Sequence, residues 1–210
     1  MESKIIKKLS INFDKEILVD QVLIDKEIVN MHQKRLTELY KDLPEQEKIA
    51  KMDVALRDVI LKDNFFNKIM EFIVPYYEFE IDEEEVKTQA EGLKKNFPER
   101  DQTVINQIAE RSIQKSLIFK DLEKQFKLTL TTEQVDENLK LSASQIGENF
   151  EDIKKDENRY NILKNLLQEE YIIAFLLNKF PLRVNLPYDW QTHQIMLFRL
   201  PKNSNNNQSN

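Results

Sequence analysis

Residues 78–86 read EFEIDEEEV and residues 127–135 read KLTLTTEQV. Each alternates apolar and polar residues, then breaks into a short cluster of acids or amides that ends in Val. Alternation at period two marks an extended segment, so Phe79 and Ile81, and likewise Leu128 and Leu130, fall on one side of their connectors. The clusters that follow fit the start of a helix. In Asp82-x-x-Glu85 and Thr131-x-x-Gln134 the first side chain can accept from the amide three residues on, and the fourth can reach back to the cap amide. Such a cap contributes ~1 kcal/mol to its helix, and the acids at 82–85 suit the positive end of a helix dipole. A weaker copy, INFDKEI, occupies residues 11–17. The expected construction is an apolar connector fixed to a body, then a capped helix leaving it, repeated around three lobes.

Composition supports a helical chain. Only 2 Gly and 6 Pro occur in 210 residues, which argues against phosphate-binding glycine loops, tight hairpins and most barrels. With no Cys, disulfides and thiolate metal sites are excluded. The longest apolar run, YIIAFLL at 171–177, is about a third of the ~20 residues a membrane span needs. The first residues carry no apolar leader segment, so the cytoplasm is the expected address and no membrane partner is expected. The net charge of −6, with lysines scattered among acids, leaves no basic stripe for a nucleic acid.

Along the chain, residues 5–13 end in a short extended alternation, and a helix is expected from Asp14 to about Leu43 with Leu18, Val22, Val29, Leu36, Leu39 and Leu43 as its stripe. After Pro44, the positions Ile49, Met52, Leu56, Val59, Phe66, Met70 and Ile73 follow spacings of three and four or their sums, with Asp63 the polar residue on the seam. Thirty helical residues would extend ~45 Å, well beyond the usual helix length, so an elongated molecule is expected. Pro75 stops that helix. Further helices are expected over about 83–95, 101–128, 132–146 (closed by Gly147 as a C-terminal cap) and 157–180. Prolines 181, 187 and 201 imply an irregular crossing segment, with one short amphipathic helix expected within 188–198. The fold class is mainly α, elongated and multi-lobed, with two arm-like helical hairpins around a body and little or no β. The expected division is 1–78 as an N-terminal body, 79–127 as a first arm, 128–180 as a second arm, 181–201 as a crossing segment and 202–210 as a disordered, low-complexity tail.

Taken in order, EFEIDEEEVKTQAEGLKKNF (78–97), ERSIQKSLIFKDLEKQFKL (110–128), TLTTEQVDENLK (129–140), FED (150–152) and LKNLLQEEYIIAFLLNKF (163–180) resemble the C-terminal chaperone domain of bacterial trigger factor, which is similar in fold to the periplasmic chaperone SurA. The resemblance covers about residues 60–180 and rests on apolar spacing and caps. KKLSINFDKEILVDQVL (7–23) resembles the first strand and helix of trigger factor's ribosome-binding domain. The family's Gly-Phe-Arg-x-Gly ribosome loop is missing, the sole Phe-Arg pair being Phe198-Arg199, and there is no segment for a prolyl-isomerase domain. The stretch between Phe150 and Tyr160 is several residues shorter than in the family. The resemblance implies a stand-alone bacterial chaperone module that holds unfolded or nascent polypeptides between helical arms without ATP, with ribosome docking not implied.

Chemistry-bearing motifs are sparse. His32 and His193 stand far apart, and a metal would need carboxylates from elsewhere. Acid runs such as Glu83–Glu85 and Glu169-Glu170 point in different directions on a helix and read as solvated faces or caps. No nucleophile elbow or nucleotide fingerprint occurs. A non-enzymatic protein is therefore expected, with no cofactor. The aromatics are more telling: Phe65, Phe66, Phe72, Tyr76, Tyr77 and Phe79 fall within 15 residues. As client-binding candidates we take Phe65, Phe66, Phe72, Tyr76 and Tyr77 from this cluster, Phe97 and Phe150 near the expected arm tips, and the flexible Met70 and Met196. The competing reading is a structural or adaptor protein that holds one specific partner or self-associates through the 49–73 seam.

Overall fold

The computed structural model describes residues 2–186. Met196, the expected helix at 188–198, the crossing segment from residue 187 on and the 202–210 tail lie outside the described residues. Within them the fold is mainly α. Seven α-helices occur, α1 (Lys26–Leu39), α2 (Glu45–Ile73), α3 (Glu83–Asn96), α4 (Gln102–Phe126), α5 (Thr132–Gln145), α6 (Phe150–Lys155) and α7 (Glu157–Lys179). Four short strands accompany them, β1 (Lys4–Lys8), β2 (Ile17–Val19), β3 (Tyr77–Glu80) and β4 (Leu182–Val184). They form two separate two-stranded sheets, β1 with β3 and β2 with β4.

The chain divides into two compact units, each assembled from distant stretches. One comprises Met1–Phe13 and Met70–Thr129, the other Asp14–Ile69 and Leu130–Asn210. This differs from the sequential body-and-arms division. Strand pairing is the physical reason: β1 joins the unit that holds the expected first arm, while β4 joins the one that holds residues 14–69.

In the first unit, β1 and β3 run antiparallel, with Lys4 opposite Glu80, Ile5 opposite Phe79 and Lys8 opposite Tyr77, and a bulge between Ile5 and Lys7. A Lys4–Glu80 ion pair at 3.0 Å sits at one end. The expected connector at 76–81 is thus strand β3. The helical hairpin α3–α4 follows, and its core is Ala90, Ile105 and Ala109 with Val86, Leu93 and Phe97 packed against them. Asp82 caps α3 by accepting from the amides of Glu84 and Glu85 at 3.1 Å. The reciprocal half of the box is absent. The Asp82 amide donates instead to Ser3 Oγ at 2.8 Å, and Glu85 Oε1 accepts from the Ser3 amide at 3.2 Å. Ser3, buried beside β1, satisfies the donor that Glu85 would have taken.

In the second unit, β2 and β4 pair in parallel, Ile17 with Leu182 and Val19 with Val184. That pairing overturns the expected helix from Asp14: residues 17–19 lie in a sheet, and α1 begins only at Lys26, with Asp25 accepting from the amides of Glu27 and Ile28. The weak third copy at 11–17 therefore launches no helix. α2 has the expected length, 29 residues, but its buried stripe shares only Ile73 with the predicted seam. Leu61, Phe65, Ile69 and Ile73 are buried at a strict spacing of four, whereas Met52, Leu56, Val59, Phe66 and Met70 are half-buried and Ile49 is exposed. α5, α6 and α7 form a lobe around Leu130, Val135, Leu139, Ala143, Phe150 and Ile153, covered by Tyr160, Leu163, Leu167 and Tyr171. Thr131 and Gln134 make the complete capping box of α5. Gly147, at φ 70°, closes its other end, with the Glu148 amide reaching back to the Ala143 carbonyl at 2.9 Å. Leu128 and Leu130 are buried on either side of exposed Thr129.

Candidate client-binding surfaces

The eight sequence candidates among the described residues separate by burial. Phe65 is 3% exposed, Tyr77 7% and Phe150 8%. These three are core residues in this conformation, which corrects their assignment as client contacts. Tyr77 illustrates why. Its ring stacks on Phe79 at 6.0 Å between centroids, Lys8 Nζ lies 5.6 Å from its centroid, and its hydroxyl donates to Asp121 Oδ2 at 2.8 Å. Burial, followed by the hydrogen bond to that carboxylate, pushes the Tyr77 phenol well above its ordinary range. Phe150 sits in the α5–α7 lobe with Lys140 Nζ 5.1 Å and Lys154 Nζ 5.5 Å from its ring centre.

Phe66, Met70, Phe72, Tyr76 and Phe97 are half-buried. Phe72 and Tyr76 contact each other at 5.3 Å between centroids. Phe97 follows α3 directly at the hairpin turn, where Arg100 covers its ring at 4.7 Å. Each presents part of its ring or thioether to solvent, so this group keeps apolar surface on the outside.

Sequence reasoning missed a set of exposed apolar residues on α1, on α2 and just ahead of α1. The pair is antiparallel: Asn64 of α2 bonds the backbone of Leu23 just ahead of α1, and Thr37 Oγ1 near the far end of α1 lies 4.0 Å from Met52 Sδ. None of the 14 residues of α1 is buried. Leu23, Ile24, Met31, Leu39, Ile49 and Val54 are all exposed, Leu23 by 64% and Ile49 by 59%. Scattered exposed apolars are ordinary, but a two-helix layer that leaves this many on one hairpin has too little second surface to cover them. The available signal was Leu23, Ile24 and Met31 lying off the predicted stripe of α1. A second set, Leu141 and Ile146 at the end of α5 and Ile162 and Leu166 one turn apart on α7, is exposed on the α5–α7 lobe.

The α3–α4 hairpin also carries an open groove of about 730 Å³. Its rims are Glu83, Lys87 and Glu91 along α3 and Gln102, Asn106 and Glu110 along α4, each set at spacings of four. Ile81, Val86 and Ala90 supply its apolar surface. Among the described residues no group of three His, Asp or Glu side chains is placed to hold a metal, and no helix is long and apolar enough to cross a membrane.

A mainly α protein of two units, each drawn from distant stretches of the chain and each with a small sheet, is the class these features define. The chain belongs to the family of the uncharacterized protein MG377 of Mycoplasma genitalium, with which it is 31% identical over 177 residues, covering 84% of this chain and 90% of that protein. The MG377 homologue of Mycoplasma pneumoniae is 29% identical over the same shares. Among solved structures, the crystal structure of the hypothetical Mycoplasma protein MPN555 is similar at a TM-score of 0.74 and 28% identity, covering 88% of this chain and 92% of that one. No family model matches the sequence.

Proposed function

We propose that the protein is an ATP-independent molecular chaperone that binds exposed apolar segments of unfolded or nascent polypeptides on the open faces of its helical hairpins. The observation that carries this reading is the α1–α2 region, in which no residue of α1 is buried and Leu23, Ile24, Met31, Ile49 and Val54 are each exposed. Each large apolar side chain covered by a client contributes ~1.5–3 kcal/mol before ordering costs. A few such contacts give weak, sequence-tolerant binding, and the flexible Met31 suits varied clients. The resemblance of residues 60–180 to the trigger factor chaperone domain agrees with this reading. A cysteine-free chain fits work in the reducing cytoplasm.

The test is aggregation of a chemically unfolded client followed by light scattering. Near-stoichiometric protein should suppress the signal without nucleotide. Scattering unchanged at severalfold excess refutes the proposal. A pulldown that returns one stoichiometric partner instead of a broad unfolded set favours the adaptor reading.

A further inference from the structure

We infer that residues 188–198, YDWQTHQIMLF, fold back as an internal occupant of the apolar surface at Leu23 and Ile24, so that a client reaches that surface only by displacing them. The displacement rests on the chaperone reading; the docking does not. Strand direction carries the argument. β2 and β4 run parallel, so the chain beyond Val19 and the chain beyond Val184 leave the sheet the same way. The Asn185 amide still donates to the Val19 carbonyl at 2.9 Å, and Leu186 is buried. Leu23 stands four residues past Val19, and Tyr188 four past Val184, each at most about 13 Å onward in an extended chain. The segment therefore starts beside two adjacent apolar side chains that are more than half exposed.

The Leu23 amide and carbonyl are already held by Asn64, so sheet pairing does not extend that far. Contact there is left to side chains. Six of the eleven residues at 188–198 are apolar, Trp190 among them, and Asp189 carries the sole full charge. A stretch of that composition gains by leaving water, and its own strand delivers it to Leu23 and Ile24. Because it is tethered, it is present at an effective concentration that a free segment of similar affinity does not reach. It thereby competes with clients and lowers their apparent affinity by the fraction of time it holds the surface.

Trp190 is the sole Trp of the chain, so the intrinsic fluorescence of the full chain reads the docking directly. Its emission should lie to the blue of that of the urea-unfolded chain and resist quenching by acrylamide. L23S/I24S, which changes two exposed side chains, should move the emission to the red and raise quenching severalfold, with circular dichroism unchanged. I195S/F198S should do the same from the other side of the contact. An excess of unfolded, tryptophan-free client should likewise release Trp190 in the wild type, and I195S/F198S should suppress aggregation at a severalfold lower concentration. A Trp190 as quenchable as in urea, or one whose protection survives L23S/I24S, overturns the docking. Protection lost on dilution also overturns it, by assigning the occupant to a second copy. Clients kept from aggregating without releasing Trp190 overturn the competition. If the docking falls while aggregation is still suppressed, the chaperone reading stands. If the docking holds and no client is kept from aggregating, the chaperone reading falls and the docking remains.

Discussion

Asn64 of α2 holds the backbone of Leu23 through both of its amide atoms: Oδ1 accepts the Leu23 N–H at 2.7 Å, and Nδ2 donates to the Leu23 carbonyl at 2.9 Å. A second donation from Nδ2, to Ile60 O at 2.8 Å, fixes the side chain against its own helix. The side chain pairs with Leu23 as a neighbouring strand would, in a place where no strand is available. It anchors the segment that leads into α1, a helix with no buried residue of its own.

Replacing Asn64 by Leu should therefore destabilise the protein by about 2 kcal/mol, since a near-isosteric side chain leaves the Leu23 amide and carbonyl without partners. Asn64→Asp should be comparable, because a carboxylate still accepts from the Leu23 amide but cannot donate to its carbonyl. Urea denaturation measures both, and a loss under 0.5 kcal/mol in each (well below that expectation) would show the clamp to be dispensable.

The adjacent Asp63 has the opposite sign. Burial raises its carboxyl above the ordinary 3.8, partly offset by the nearby His32 and Lys62. A carboxyl with a raised folded value costs stability once pH exceeds 3.8, and the cost grows until the folded value is passed. Asp63→Asn should therefore raise the melting temperature at pH 7, with the advantage vanishing as pH falls to about 3. A melting temperature at pH 7 that is unchanged or lower contradicts the assignment.

The α5–α7 lobe should fail at both ends of the pH scale. Asp136 accepts from Lys154 Nζ and from the Tyr160 hydroxyl, each at 2.7 Å. Those bonds, Lys154 first, hold the Asp136 carboxyl below its ordinary 3.8. Its contribution is present above that value and is lost as pH falls through the lower folded one. Tyr160, pushed up to about 12 chiefly by its bond to Asp136, contributes below pH 10 and loses that contribution as pH rises through 12. Tyr160→Phe should flatten the alkaline limb of a stability–pH curve while leaving most of the acid limb, which thermal melts across pH 2–12 resolve.

Lys127 follows α4 with φ 54° and ψ 50°, a left-handed conformation that glycine adopts without the penalty an L side chain incurs. Lys127→Gly should raise stability by about 1 kcal/mol, the relief of left-handed strain less the greater chain entropy that glycine loses on folding. A lower melting temperature would indicate that the lysine side chain contributes more than its backbone strain costs.

Client binding should track the exposed hairpin and not the buried aromatics. A Leu23→Ser/Ile49→Ser/Val54→Ser triple variant should keep the melting temperature within a few degrees, because each side chain is exposed. It should nevertheless lose most suppression of client aggregation. Phe150→Ala should do the reverse, lowering stability by about 3–5 kcal/mol with binding altered only through unfolding. A triple variant with undiminished suppression would move the client site elsewhere.

The features legible in the sequence were those encoded locally. Thr131 and Gln134 specify their box within four residues, Gly147 marks a left-handed stop, and the alternation of Leu128 and Leu130 lies within three. What escaped was set by partners far along the chain. Nothing near Ile17–Val19 announces that Leu182–Val184 will pair with it, so the same residues passed for the first turns of a helix. On α2, both 61-65-69 and the predicted seam run apolar at helical spacing toward Ile73, which they share, and only the packing around them decides which is buried. Asn64 reads as one more polar residue until Leu23 is placed beside it. Phe65, Tyr77 and Phe150 carry the same aromatic signal whether they fill a core or meet a client.

The pairing of β2 with β4 also sets the order in which the two units acquire all their residues during synthesis. As the chain emerges, β1 has its partner once residue 80 is out, and the first unit has all its residues once Thr129 has been made. The second unit cannot close its sheet until Val184 appears, although its opening segment, residues 14–69, has by then waited through the making of more than a hundred others. Long-range closure of this kind is slow. A chain made as far as Thr129 therefore holds every residue of the first unit, while Ile17–Val19 of the second still lack the strand they pair with.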